Sequence, residues 1–139
     1  MPQPIPYLAF NGNCAEAARF YERVLGAKLE ILMSGAESPM AAQIPKESAH
    51  HILHARLAFP DGSLLYAGDA PSHMPYQGIH GVSITLNYDT TAQAQKVFDA
   101  LSAGGTVTMP VAEQFWGARF GMLTDRFGVG WMLNCDAKK

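Results

Sequence analysis

The sequence predicts an α+β fold made by duplicating one strand–helix–three-strand unit, and three observations predict it. First, the chain can be laid over itself. Leu8-Ala-Phe-Asn11, followed by a helix with Phe20 and Gly26, matches Leu86-Asn-Tyr-Asp89, followed by Phe98 and Gly104, at an offset of 78 (8 to 86). Further on, Leu57 and Gly62 match Leu123 and Gly128 at an offset of 66 (57 to 123). Second, Val82, Ile84, Leu86 and Tyr88 alternate with Ser83, Thr85 and Asn87, the period-2 pattern of a half-buried strand. Third, two segments carry apolar stripes at helical spacing. Self-similarity of this kind marks a repeated supersecondary unit, and the space between two copies is the expected functional cleft.

Each element follows from local chemistry. Tyr7 to Phe10 is the opening strand of the first copy, preceded by Pro4 and Pro6. The first helix starts at Asn13 with Glu16 three residues on, a capping-box arrangement. Ala17, Phe20, Tyr21 and Val24 form its stripe and Gly26 stops it. The second helix is capped by Thr90 or Thr91, carries Ala94, Val97, Phe98 and Leu101, and stops at Gly104. Further strands are expected at about 27–33, 52–59 and 63–68, and at 105–112, 119–125 and 129–135. Phe59-Pro-Asp-Gly62 and Asp125-Arg-Phe-Gly128 read as tight turns, with Asp and Gly supplying the turn chemistry.

The fall in offset from 78 to 66 puts twelve extra residues (78 − 66) in the first copy. They lie in Ser34 to Ala49, rich in Gly, Ser, Pro and Ala, and loops of that length are commonly functional lids. Residues 69–79, with Pro71, Pro75 and Gly78, connect the copies. The expected organisation is one domain of two modules, about 1–70 and 79–139, with a linker at about 71–78.

Composition excludes several classes of function. With 48% hydrophobic and 16% charged residues the chain is globular, not disordered. A formal charge of -2 without a basic stripe argues against nucleic acid as partner. No stretch has the roughly 20 apolar residues of a membrane span. Met-Pro-Gln-Pro-Ile-Pro at the N-terminus lacks the pattern of a secretion signal, so a cytoplasmic protein is expected. Cys14 and Cys135 do not make a disulfide framework and are read as reduced.

The segments Pro6-Tyr-Leu-Ala-Phe-Asn-Gly-Asn13, Ala17-Ala-Arg-Phe-Tyr21, Phe115-Trp-Gly-Ala-Arg-Phe-Gly121 and Thr124-Asp-Arg-Phe-Gly-Val-Gly-Trp-Met-Leu-Asn134 carry a family resemblance. Across nearly its whole length the chain resembles the vicinal oxygen chelate superfamily, which contains glyoxalase I, extradiol dioxygenases, fosfomycin-resistance enzymes and bleomycin-binding proteins. Within it, the chain is most similar to the PhnB-like group, often labelled 3-demethylubiquinone 3-methyltransferase. The resemblance implies tandem βαβββ units forming a curled, open eight-stranded mixed sheet with the helices outside. It also implies a homodimer, since single-cleft relatives often pair.

In that superfamily a metal sits in the cleft, held from early in the first strand and from the last strand of each copy. Here those four positions are Ile5, Tyr66, Ser83 and Met132. None is a His, Asp or Glu, the ligands that hard and borderline divalent metals need. No metal and no cofactor are therefore expected. Elsewhere, His51 and His54 would point to opposite faces of a strand, and His50 and His54 would lie about 13 Å apart on one face. His73 and His80 read as solvated.

On the expected strand, Leu53, Ala55, Leu57 and Phe59 suit the helix side, while His54, Arg56 and Ala58 face the cleft. The duplication adds Phe120, Met122 and Thr124 as their equivalents. Tyr7, Tyr66, Ser83, Thr85, Asn87 and Met132 complete a lining of aromatic, thioether and hydroxyl groups with one or two cations. That lining suits a small, partly apolar molecule with an anionic or carbonyl group. The competing reading makes His54 and Arg56 satisfied polar residues of a filled sheet. Trp116 and Arg119 either gate the cleft, Arg119 offering a fork to a carboxylate or phosphate, or anchor a dimer contact. Trp131, alternating with Met132, belongs to the core.

Cys14 sits in a first helical turn, where a thiol can become nucleophilic, but small buried hydrophobe is the commoner role of such a residue. There is no Gly-x-Ser-x-Gly elbow, and Gly128-Val-Gly130 opens a strand, so it is no phosphate cradle. Three functional classes remain. The chain binds a small molecule without metal; or it is a metal-dependent lyase, isomerase or dioxygenase with unusual ligands, His54 first among them; or it is the methyltransferase of the group's label, for which a Gly-rich nucleotide site is missing.

Overall fold

The computed structural model describes residues 3–39, 41–44, 46, 49–71 and 75–136. His73 lies outside them. The chain divides into two compact units, residues 1–78 and 79–139. The first contains β1 (Tyr7–Phe10), α1 (Cys14–Leu25), β2 (Lys28–Ser34), a 3-10 turn (Ala41–Gln43), β3 (Ile52–Ala58) and β4 (Leu64–Asp69). The second contains β5 (Ser83–Tyr88), α2 (Thr91–Ser102), β6 (Thr106–Glu113), β7 (Arg119–Thr124) and β8 (Gly130–Cys135). The predicted tandem βαβββ arrangement is present. Its eight strands hydrogen-bond as two four-stranded mixed sheets, ordered β1-β4-β3-β2 and β5-β8-β7-β6. In each sheet the first strand runs parallel to the last, and the remaining pairs are antiparallel.

One face of each sheet is closed by its own helix. In the first unit Leu8, Phe10, Ala55, Leu57, Leu65 and Ala67 are buried with Ala17, Phe20 and Tyr21 of α1. In the second, Leu123, Trp131 and Leu133 are buried with Ala94, Phe98 and Leu101 of α2. The residues between them in sequence point to the other face, as strand alternation requires. Among the described residues no helix is long and apolar enough to cross a membrane.

Both predicted hairpin turns form. Phe59 N–H donates to Ser63 O and Gly62 N–H to Phe59 O, both at 2.9 Å. Asp125 N–H donates to Val129 O at 2.9 Å and Gly128 N–H to Asp125 O at 3.0 Å. Gly62 and Gly128 both have φ +91, a left-handed conformation open to glycine at little cost. The excursion after β2 has a paired stem: Gly35 N–H donates to His51 O and Ala36 N–H to Ala49 O, both at 2.9 Å.

Three expectations need correction. The capping box at Asn13 does not form: the Asn13 side chain makes no cap bond, and its Oδ1 is buried without a partner. The Asp69 carboxylate takes that role from β4. Its Oδ1 accepts from Gly12 N–H (2.8 Å) and Cys14 N–H (3.0 Å), and its Oδ2 from Ile52 N–H (2.7 Å). The physical reason is visible in the second unit, where Thr90 Oγ1 accepts from Gln93 N–H at 3.1 Å. Thr90 is the N-cap of α2 as Asn13 is of α1, but Thr90 has extended backbone (φ -128, ψ 149) whereas Asn13 does not (φ -113, ψ 20), so only the threonine side chain turns back onto its helix. Next, Leu53 is 39% exposed, whereas Ile52 is buried. The ladder between β2 and β3 slips between Met33 and Ser34, so alternation is lost at that end of β3. Last, His50 and His51 precede β3 in a turn, with their rings edge to face at 4.6 Å.

Replacing Asp69 with Ala removes the acceptor of three backbone donors, whereas Thr90→Ala removes one cap. We expect Asp69→Ala to cost about 2–4 kcal/mol and Thr90→Ala about 1 kcal/mol, measured by urea unfolding with unchanged m-value. Equal losses for the two variants would refute the role given to Asp69.

Candidate functional site

The face of the first sheet that α1 leaves uncovered carries four of the expected site residues as neighbours. Tyr7 pairs with Tyr66 across the parallel β1–β4 ladder, and Tyr66 pairs with Arg56 across β3–β4. The His54 ring lies 6.1 Å from that of Tyr7, nearly parallel, and 4.9 Å from that of Tyr66, edge to face. Tyr7 also donates its hydroxyl to Leu53 O at 3.2 Å. This crossing of β4 depends on Gly68, since a Cβ there would strike the Tyr7 hydroxyl. Burial, with smaller contributions from the charges of Cys14 and Asp69, holds the Tyr7 phenol above its ordinary range.

Arg56 has a partner that sequence alone did not reveal. Between Leu29 and Ile31 the β2–β3 register shifts by one residue, which places both Glu30 and Ile31 opposite Arg56. A bulge of this kind re-aims a side chain, and Glu30 Oε1 lies 3.0 Å from Arg56 Nε. The Nε is covered from solvent and has no aligned hydrogen bond, although each side chain of the pair is 38% exposed. An exposed pair of this kind contributes only about 0–1 kcal/mol to stability.

The second sheet repeats the geometry with different chemistry. Its β6–β7 ladder shifts between Val107 and Met109, at the repeat positions of Leu29 and Ile31. Thr85 pairs with Met132, Met132 with Met122, and Met122 with Met109. The next row holds Asn87, Asn134 and Phe120, with Asn134 Nδ2 donating to Asn87 Oδ1 at 3.2 Å. Ser83 opens the third row opposite Gly130, which pairs in turn with Thr124. Ser83, Thr85, Asn87, Phe120, Met122 and Met132 thus lie on the open face of one sheet, and Tyr7, His54, Arg56 and Tyr66 on that of the other. Met109, which the sequence reading omitted, belongs to the same set. Its repeat position is Ile31, which meets Arg56 only through the bulge, so the sequence carried no signal for it.

Trp116 and Arg119 separate. Trp116 lies in the turn between β6 and β7, where Gly117 N–H donates to Gln114 O at 2.9 Å. Its ring is 6.0 Å from Phe120 and 4.8 Å from Phe115. Phe115 is 97% and Trp116 53% exposed. Arg119 pairs with Cys135 and Glu113 and alternates with Phe120, so it lies on the helix side of the sheet, exposed at the strand's end.

Cys14 is fully buried. Burial first, and the neighbouring Asp69 charge second, push its thiol from 9.0 up to about 12. The helix terminus is already occupied by Asp69, so Cys14 behaves as a small hydrophobe. Among the described residues no three His, Cys, Asp or Glu side chains are grouped to hold a metal ion. Tyr66 and Met132 stand at matching ladder positions beside Tyr7 and Thr85, Ser83 opens β5 and Ile5 precedes β1. That donor set does not fit a divalent metal of the kind bound through imidazole and carboxylate.

Two mixed βαβββ units in tandem, each with one helix-covered and one open face, define a glyoxalase-like α+β protein. Residues 5–133 match the Glyoxalase/Bleomycin resistance protein/Dioxygenase superfamily, and the chain belongs to it. It is 34% identical over 137 residues to Protein YjdN of Escherichia coli K12, covering 93% of this chain and 92% of that one. The crystal structure of protein PA1353 from Pseudomonas aeruginosa matches with a TM-score of 0.90 and 46% identity, covering 99% of this chain and 100% of that one. A putative 3-demethylubiquinone-9 3-methyltransferase, PhnB protein, from Bacillus cereus shares the fold at a TM-score of 0.78 and 20% identity, covering 96% and 99% of the two chains.

The raised thiol pKa fixes an expectation for Cys14 chemistry. At pH 8 about one Cys14 thiol in ten thousand is ionised, so iodoacetamide should label it only in denaturant. Because the folded value lies above the unfolded one, this group's stabilisation is complete below about pH 9 and is lost as pH rises through 12. Rapid labelling of Cys14 in the native protein would contradict this placement.

Proposed function

We propose that this protein binds a small, partly apolar molecule carrying an anionic or carbonyl group, and that binding requires no metal. The observation that carries the reading is the array of Tyr7, Tyr66, His54 and Arg56 on an uncovered sheet face, with Tyr66 and Met132 at positions where metal-binding relatives carry carboxylates. Aromatic rings provide apolar contact with defined geometry. A guanidinium offers paired donors to a carboxylate or carbonyl. Ser83, Thr85 and Asn87, exposed along β5, give the open face of the second sheet polar groups of its own. Methyl transfer finds no support in these residues, since neither sheet face carries a Gly-rich strand–turn–helix.

The test is a thermal-shift screen of aromatic and aliphatic carboxylates, run with and without EDTA, on protein whose metal content is measured first. Stabilisation unaffected by EDTA is expected, rising with ligand concentration as linkage requires. Arg56→Ala should weaken a bound carboxylate about tenfold or more while its far-UV spectrum and melting point stay near those of the parent. One tightly held ion per chain, lost in His54→Ala, would move the protein to the metal-dependent lyases, isomerases or dioxygenases. Unchanged affinity in Arg56→Ala would remove the anion role.

We also infer a homodimer, supported by the exposure of Phe115 and Trp116, because aromatic side chains are favoured anchors of interfaces. Light scattering should give twice the chain mass, and Phe115→Ser with Trp116→Ser should shift the protein toward monomer. A parent protein that is monomeric at micromolar concentration would refute the inference.

A further inference from the structure

Met109, Met122 and Met132 are successive register partners on β6, β7 and β8. Their side chains share the open face of the second sheet. Three of the chain's seven methionines are thereby collected in one row. Duplication does not account for it, because the repeat positions in the first sheet are Ile31, Arg56 and Tyr66. Sheet preference does not account for it either. An apolar patch on a pleated surface is ordinarily filled with Val, Ile or aromatic residues, and the helix side of this same sheet holds Leu123, Trp131 and Leu133 with no methionine among its buried residues.

The row is accessible. Met109 is 38% exposed, and Met122 and Met132 are half-buried. Its outer members stand two strand spacings apart, about 9.5 Å, and each side chain has three rotatable bonds with which to bring its sulfur over the middle strand. The bulge after Val107 sets Met109 opposite Met122 with Thr108 beside it. The three ladder pairs around them are Thr85–Met132, Met132–Met122 and Met122–Met109. They contain no carboxylate, imidazole or amine that would favour a hard cation.

We propose that Met109, Met122 and Met132 form a thioether site for the soft monovalent cation Cu(I). Neutral thioethers are poor ligands for hard divalent cations and good ones for Cu(I), so a row of three selects for a soft monovalent ion. Of the four strand positions used by metal-binding relatives, only Met132 takes part. The inference stands apart from the small-molecule reading, since Cu(I) uptake is measured here with no organic ligand present.

The experiment titrates the full-length protein, its methionine methyls labelled with carbon-13, with Cu(I) under anaerobic conditions against a chromophoric Cu(I) chelator. One Cu(I) per chain is expected, with three of the seven methyl resonances shifted and none shifted by Zn(II). Met122→Leu keeps side-chain volume, a swap that cores tolerate, and should weaken Cu(I) by about tenfold or more. Met109→Leu should do the same and serves if Met122→Leu is misfolded. Absence of uptake overturns the proposal. So does uptake that leaves those methyls unmoved, which would assign the metal to Cys14 or Cys135, and so does an equal response to Zn(II).

Discussion

The arrangement of the first sheet depends on one carboxylate. Asp69 ends β4, and its two oxygens accept from the loop before α1, from the first turn of α1 and from the first residue of β3. Those bonds tie together the ends of the elements that carry Tyr7, His54 and Tyr66. A carboxylate at a helix N-terminus also meets the positive end of the helix dipole, so the charge is favourable where it stands. The same charge has a chemical cost next door. Burial first, and this charge as a smaller contribution, raise the Cys14 thiol and the Tyr7 phenol, so both stay neutral near an anion that belongs to the scaffold.

The second unit solves the same structural problem with other groups. Thr90 caps α2 locally, and the repeat position of Asp69 is Cys135, to which Thr91 Oγ1 makes a long contact of 3.9 Å. The buried carboxylate there is Asp125, which accepts from Phe127 and Val129 N–H and from the Trp131 indole, and so fixes the β7–β8 turn to the core. Backbone geometry is conserved between the halves even to the bulge at Leu29–Ile31 and Val107–Met109. What differs is the chemistry on the open faces: an ion pair, an imidazole and two phenols on one, thioethers and hydroxyls on the other.

This division explains what could be read from the sequence. Strand alternation, helix stripes and the two Asp/Gly turns are local signals, and they located all eight strands and both helices. Leu53 was misplaced because a register slip interrupts alternation at the start of β3, and a slip is a property of two strands, not one. Asn13 looked like a cap because its spacing to Glu16 is right, but a neighbouring strand brings the Asp69 carboxylate to the Gly12 and Cys14 N–H groups on either side of it. Glu30 was invisible as the partner of Arg56 for the same reason as Met109 was invisible beside Met122. Both depend on a bulge that no single-strand pattern encodes. Arg119 was read with Trp116 as a gate or an interface anchor before the strand, but it is the first residue of β7, on the face opposite Phe120.

The Glu30–Arg56 pair bears on how the open face of the first sheet could work. As an exposed ion pair it adds at most about 1 kcal/mol to stability, too little to be explained as a structural need. On the proposed reading its effect on ligand choice is larger, because an incoming carboxylate must approach Arg56 with Glu30 already at 3.0 Å. The guanidinium has a fork of five donors, and Glu30 Oε1 stands 3.0 Å from its Nε, so a second carboxylate would be met by the terminal nitrogens while Glu30 remains. Repulsion between the two carboxylates then opposes strongly charged ligands and spares those with a delocalised anion or a carbonyl. A bare guanidinium on an open sheet would take any small anion in solution. On the proposed reading, Glu30 converts it into a group that holds an anion only when the neighbouring rings of Tyr7, His54 and Tyr66 add apolar contact, a route to selectivity that the ligand screen tests.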